Sequence, residues 1–116
     1  METINGCLVF APPQTPDPIS VGPAETNSAY VALLGMFPPG EPGPPPHKHP
    51  QTDEAFYLME GEATFLLGDR ELPVVPGTMV VVPRGTPHTV WNSGERPVRG
   101  MIVISPGDAE NTFVPV

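Results

Sequence analysis

Proline restricts this chain more than any other residue. Nineteen of the 116 residues are proline, and each removes a backbone donor and clashes with the helical turn behind it. Together with twelve glycines, that content would suit a disordered segment, but the placement argues otherwise. Most of the prolines punctuate apolar and β-branched runs at 30–37, 54–59, 63–67, 72–75, 78–82, 88–92 and 98–104. Short strands separated by turn residues predict an all-β sandwich or barrel. No segment shows a sustained helical apolar period with caps, so no helix is expected. Glu60-Gly61 and Gly68-Asp69 read as hairpin turns, and Pro76-Gly77 as a type II turn with glycine where positive φ is needed.

At this length the chain is expected to form a single domain. Residues 29–116 hold the strand-rich region. Residues 1–28 read as an N-terminal arm, partly irregular, with an edge strand at Cys7–Phe10 that either stays with its own subunit or is exchanged with another.

The chain has only three histidines, and they fall in two short segments. Side chains alternate along an extended strand, so His47 and His49 point to one side. Pro44, Pro45 and Pro46 before them and Pro50 after them favour extended backbone. Residues 50–53 form a turn, and Glu54 opens the apolar run through Met59, read as the next antiparallel strand, so the fold-back places Glu54 beside His49. His88 opens a later strand after the bend at 83–87 and joins the others only if the sheet closes round, as in a barrel. Three imidazoles and one carboxylate, with no thiolate, suit one divalent transition metal per chain: Fe, Mn, Ni, Co, Cu or Zn.

Charge and length remove other classes of function. Thirteen acids against five bases leave a net charge of −8, and the scattered bases offer no phosphate footprint, so no nucleic-acid partner is expected. No apolar run approaches membrane length, and Met1–Phe10 has no basic region, so neither membrane span nor leader is expected and the location read from this is cytoplasmic. The lone Cys7 fits a reducing compartment and reads as an inert buried thiol.

Two segments resemble motifs of a known family. Gly40 to Gly61, containing His47, His49 and Glu54, is similar to the first cupin motif, with its usual glycine displaced to Gly40 and Gly43. Gly77 to Asn92, containing Pro83, Gly85 and His88, is similar to the second. The resemblance runs from about Tyr30 to the C-terminus and implies a cupin barrel (a jelly roll or double-stranded β-helix) in which His47, His49, Glu54 and His88 bind the metal. It also implies a homodimer. Gly61, Gly77, Gly85, Pro83 and Asn92 match the motifs as structural residues, with Asn92 capping a turn.

With all three imidazoles on the metal, none remains as a general base. Proton transfer then falls to a metal-bound water, to Glu54 as a catalytic residue, or to Tyr30, Tyr57 or Glu60. By alternation Phe56 and Leu58 share the Glu54 face and Val90 shares that of His88, while Trp91 points away. The resemblance to quercetin-type dioxygenases implies oxygen chemistry on a small enolic or phenolic substrate. A non-redox isomerase, lyase or polyketide cyclase, or a ligand-binding domain without turnover, stands as the alternative.

Overall fold

Runs of β-branched and aromatic residues separated by proline and glycine leave extended strands as the repeating element. A computed structural model of the chain describes residues 1–12, 19–107 and 114–115. Its strands are β1 (Glu2–Ile4), β2 (Cys7–Val9), β3 (Ile19–Val21), β4 (Val31–Phe37), β5 (His47–Lys48), β6 (Asp53–Glu60), β7 (Ala63–Leu67), β8 (Arg70–Val74), β9 (Met79–Val82), β10 (His88–Trp91), β11 (Val98–Ser105) and β12 (Val114–Pro115). One helical turn, α1 (Pro23–Thr26), begins on proline, which suits a first helical position, and ends at Asn27 in the left-handed region. No helix among the described residues is long and apolar enough to cross a membrane.

The strands form two five-stranded sheets, ordered β12-β5-β10-β7-β8 and β3-β4-β11-β6-β9, which pack as a jelly roll. Both sheets feed one core. Leu58, Val80, Val82 and Val98 enter from the second sheet, and Ala63, Phe65, Val74 and Val90 from the first. Burying an aliphatic or aromatic side chain of this size stabilises by about 1.5–3 kcal/mol. The opposite face of the second sheet stays apolar and open to solvent through Tyr57, Met79, Val81 and Met101.

The turns behave as their residues require, with one exception. Gly68-Asp69 joins β7 to β8 as a two-residue hairpin, with Leu67 opposite Arg70 and Gly68 at φ 63°. Pro76-Gly77 turns the chain between the Val75 carbonyl and the Thr78 amide, 3.2 Å apart, with Gly77 at φ 90°. Glu60-Gly61, however, does not close a hairpin: β6 and β7 belong to different sheets, so the chain crosses the sandwich there. The same correction applies after His49, because β5 and β6 also lie in different sheets. The fold-back at 50–53 is a crossing, not an antiparallel pairing.

The N-terminal segment is more regular than its prolines suggest. Asn5-Gly6 joins β1 to β2 in a tight hairpin, both residues at positive φ as a type I′ turn demands. The segment read as an edge strand at Cys7–Phe10 therefore pairs with β1 and joins neither five-stranded sheet, and Cys7 is exposed rather than buried. It is β3 that forms an edge, against β4.

The displaced glycine of the first motif has a packing reason. Gly43 lies at φ 71°, and a Cβ there would sit 2.0 Å from the Val90 carbonyl oxygen of β10. The chain before β5 thus runs hard against β10, where Thr89 Oγ1 also donates to the Pro44 carbonyl at 2.6 Å. Alanine at Gly68, where nothing lies within 4 Å, should cost only the left-handed backbone, about 1–2 kcal/mol. Alanine at Gly43 should cost that plus the clash, and thermal unfolding of the two variants should rank Gly43→Ala well below Gly68→Ala. Equal melting temperatures would contradict the close approach.

Candidate metal centre

The site lies at the end of the sandwich where β6 and β10 begin. His47 opens β5 and stands directly opposite His88 at the start of β10. His49 follows β5 after Lys48, so alternation returns it to the same interior side, and all three imidazoles are buried. Glu54 arrives from the other sheet: it is 6% exposed, on β6, opposite Ile104 and Val82. The ring centroids are 4.6 to 5.3 Å apart, and one nitrogen from each ring lies within 4.8 Å of the others. Glu54 Oε1 is 2.5 Å from His49 Nε2, and Oε2 is 3.7 Å from His88 Nε2. A bare imidazole nitrogen and a carboxylate oxygen repel at the shorter distance, so that contact needs a proton or a shared cation.

Backbone carbonyls decide the tautomers. His47 Nδ1 is 2.8 Å from the Pro45 carbonyl oxygen, and His88 Nδ1 is 2.9 Å from that of Thr86. A carbonyl only accepts, so each Nδ1 carries the hydrogen, and in the neutral ring Nε2 keeps the lone pair that a metal takes. Both contacts come from one local pattern, a proline before the histidine and a carbonyl one residue further back: Pro45-Pro46-His47 and Thr86-Pro87-His88. His88 Nε2 is buried and makes no hydrogen bond among the described residues. Burial pushes the His88 imidazolium down, but the Glu54 carboxylate and the Thr86 carbonyl outweigh it and hold the group above the ordinary histidine value.

The surrounding loops are tied to one another. Asp53, one residue before Glu54 and on the outer face, accepts from the Arg84 amide at 2.8 Å and from its guanidinium at 3.2 and 3.1 Å. That guanidinium holds the Asp53 carboxyl below the ordinary aspartate value. The Gly85 amide donates to the His49 carbonyl at 2.8 Å. At the far end of β10 the fully buried Asn92 does more than cap a turn. Its Oδ1 accepts from the Gly94 amide at 3.0 Å, and its Nδ2 faces the carbonyls of Phe37, Pro38 and Arg96. Asp53, Arg84 and this bracing by Asn92 were not singled out by motif spacing.

Of the other residues raised by sequence, Phe56, Leu58 and Val90 face the interior and line an apolar cavity of about 50 Å³ together with Phe37, Phe65 and Ile102. The Phe56 ring is 6.3 Å from His88 and 5.3 Å from Phe65. Tyr57 also borders that cavity but is exposed, paired with Met79 and Met101, and Glu60 ends β6 beside Arg99. At 3.3 Å per residue, Glu60 is roughly 20 Å along the strand from Glu54. Tyr30 is exposed, one residue before β4. None of these three joins the imidazoles.

The donor set fits a divalent transition ion. Three histidines offer nitrogen within reach of one another, the tautomers of two are set for coordination, and His88 Nε2 is buried with no hydrogen-bond partner among the described residues.

Comparison with known proteins agrees with this architecture. The family model described as Cupin domain matches residues 33–105. Auxin-binding protein 4 of Zea mays is 35% identical over 80 residues, covering 61% of this chain and 38% of its own length. The tetracenomycin polyketide synthase protein TcmJ of Streptomyces glaucescens is 32% identical over 89 residues, covering 77% and 56%. The crystal structure of the DMSP lyase DddQ from Ruegeria pomeroyi DSS-3 superposes with a TM-score of 0.63 at 30% identity, covering 77% of this chain and 44% of that one. The chain spans 38% to 56% of the lengths of these two curated relatives.

Removing one imidazole tests the centre directly. His49→Ala should leave the far-ultraviolet circular dichroism unchanged and lower metal affinity by at least tenfold in a titration. Parent-like affinity in that variant would remove His49 from the centre.

Proposed function

The chain belongs to the cupin family, and from that premise we propose that it is a metal-dependent enzyme of dioxygenase type, similar to quercetin-type dioxygenases, acting on a small enolic or phenolic molecule. The observation that carries the reading is the convergence of three buried imidazoles and one carboxylate at the end of an apolar interior. An ion held by His47, His49, Glu54 and His88, one per chain, would supply Lewis acidity toward an enolic oxygen and the one-electron chemistry that dioxygen requires.

The chain's own residues divide the remaining work. The Pro45 and Thr86 carbonyls keep the hydrogens of His47 and His88 on Nδ1, which directs Nε2 to the ion and leaves neither ring to act as a base. Tyr30, Tyr57 and Glu60 do not join the imidazoles, so among the side chains raised by sequence the proton of a substrate hydroxyl falls to a Glu54 carboxylate oxygen, and Glu54 is the catalytic residue in this reading. The Phe56 ring, 6.3 Å from His88 and packed on Phe65, would present an apolar wall to a planar substrate.

A second reading keeps the metal and drops the redox step. Likeness to a protein described as a DMSP lyase, and to a polyketide synthase protein, favours a lyase or cyclase in which the ion polarises a carbonyl. Likeness to an auxin-binding protein supports ligand binding without turnover.

Elemental analysis of the purified protein should find about one transition metal per chain. An oxygen electrode should then register uptake with one member of an enolic and phenolic panel. Full metal with no oxygen consumption, together with anaerobic turnover retained on Zn(II), would replace the dioxygenase reading with the second. Ligand binding with no product by mass spectrometry would replace both.

A further inference from the structure

The hydroxyl of Thr52 is buried without a partner among the described residues. The residue is 2% exposed, and its Oγ1 finds no hydrogen-bond partner among the described residues. A buried hydroxyl loses its hydration and regains nothing unless something accepts from it or donates to it. Valine has the same shape without that loss, so packing alone gives no reason for threonine here.

Its position points to the answer. Thr52 stands between His49 and Glu54, where burial alternates: Thr52 is buried, Asp53 turns out to Arg84, and Glu54 is buried again. By the period of extended backbone, Thr52 and Glu54 share the interior face, roughly 7 Å apart along the chain. The other buried side-chain atom without a hydrogen bond among the described residues is His88 Nε2, one of the clustered imidazole nitrogens. The two orphans differ in kind. A lone-pair nitrogen is satisfied by a cation. A neutral hydroxyl is a poor ligand for such an ion but a good hydrogen-bond partner for oxygen.

We propose that Thr52 is a positioning residue for the open side of the metal centre, its hydroxyl donating a hydrogen bond to the oxygen atom, of water or of an ionised substrate hydroxyl, that the ion takes up there. The inference rests on the metal reading of the site. A donor aimed at that oxygen stabilises its anionic form, so Thr52 selects for substrates that bind through an ionised enolic or phenolic oxygen. Glu54 takes the proton, and Thr52 orients the oxygen it leaves.

The test uses the full chain and Co(II) alone as probe, with Thr52→Val and Thr52→Ser as variants. In the metal-free state T52V should melt at or above the parent temperature, because it removes an unpaired buried hydroxyl. Its Co(II) affinity should fall about tenfold, the lower end of what loss of a supporting hydrogen bond costs a metal site. The pH at which the visible Co(II) spectrum titrates should rise by about one unit, as expected for loss of one hydrogen bond to a charged group. T52S should restore both. If T52V fails to fold, T52A and T52S are compared by the same two readings. Parent-like affinity and spectrum in the hydroxyl-free variant overturn the role of Thr52 and leave the metal reading standing. A drop in the melting temperature of metal-free T52V, with an unchanged spectrum, also overturns it, by revealing a structural partner for the hydroxyl. Failure of the parent itself to bind Co(II) removes the metal reading, and the inference with it.

Discussion

The register of β6 is the constraint on which the site depends. Glu54 lies opposite Ile104 on one side and Val82 on the other, both buried, and that placement turns its carboxylate inward. A slip of one residue would exchange the roles of Asp53 and Glu54, because the side-chain period of a strand is two. The interior would then receive the shorter carboxylate, and Arg84 would face the wrong residue. The Asp53–Arg84 pair contributes little energy as an exposed ion pair, but its bonds to both the amide and the guanidinium form only in the native register. The bulge at Arg99/Gly100 is confined to the other end of the pairing, so the ladder beside Glu54 stays regular.

The centre also joins the two sheets. His47 and His88 face each other across one sheet, and Glu54 comes from the other. An ion bound by both would add to the cohesion that Phe65, Val90, Leu58 and Val82 already supply through packing. The polar end and the apolar interior are therefore two parts of one core. The longer strands that carry a donor carry apolar residues further along the same face: Glu54, Phe56 and Leu58 on β6, and His88 and Val90 on β10.

Much of this was legible in residue spacing, where local chemistry and tertiary structure agree. The hairpin at Gly68-Asp69 follows from turn chemistry alone, and the interior face of Glu54, Phe56 and Leu58 from alternation. The turn at Glu60-Gly61 was misread because a glycine turn has the same residues whether the next strand pairs with the last or crosses to another sheet. Only long-range partners decide between them, and β11 and β10 supply these from far along the chain. Asn5-Gly6 carried a clear hairpin signal that the prolines downstream obscured. Thr52 was passed over for a different reason. A hydroxyl attracts notice only when burial shows that it lacks a partner, and no spacing reports burial.

The carbonyls of Pro45 and Thr86 orient the imidazoles without any side chain of their own taking part. Many metal sites give this task to an aspartate or glutamate, which one base change can abolish. Here any residue that keeps the local bend still presents the same oxygen. Drift at positions 45 and 86 would thus be tolerated, while His47 and His88 would not vary freely. An imidazole cluster oriented in this way would keep its geometry while the walls around it change, so the shape of the interior and the arrangement of the donors can vary independently of one another.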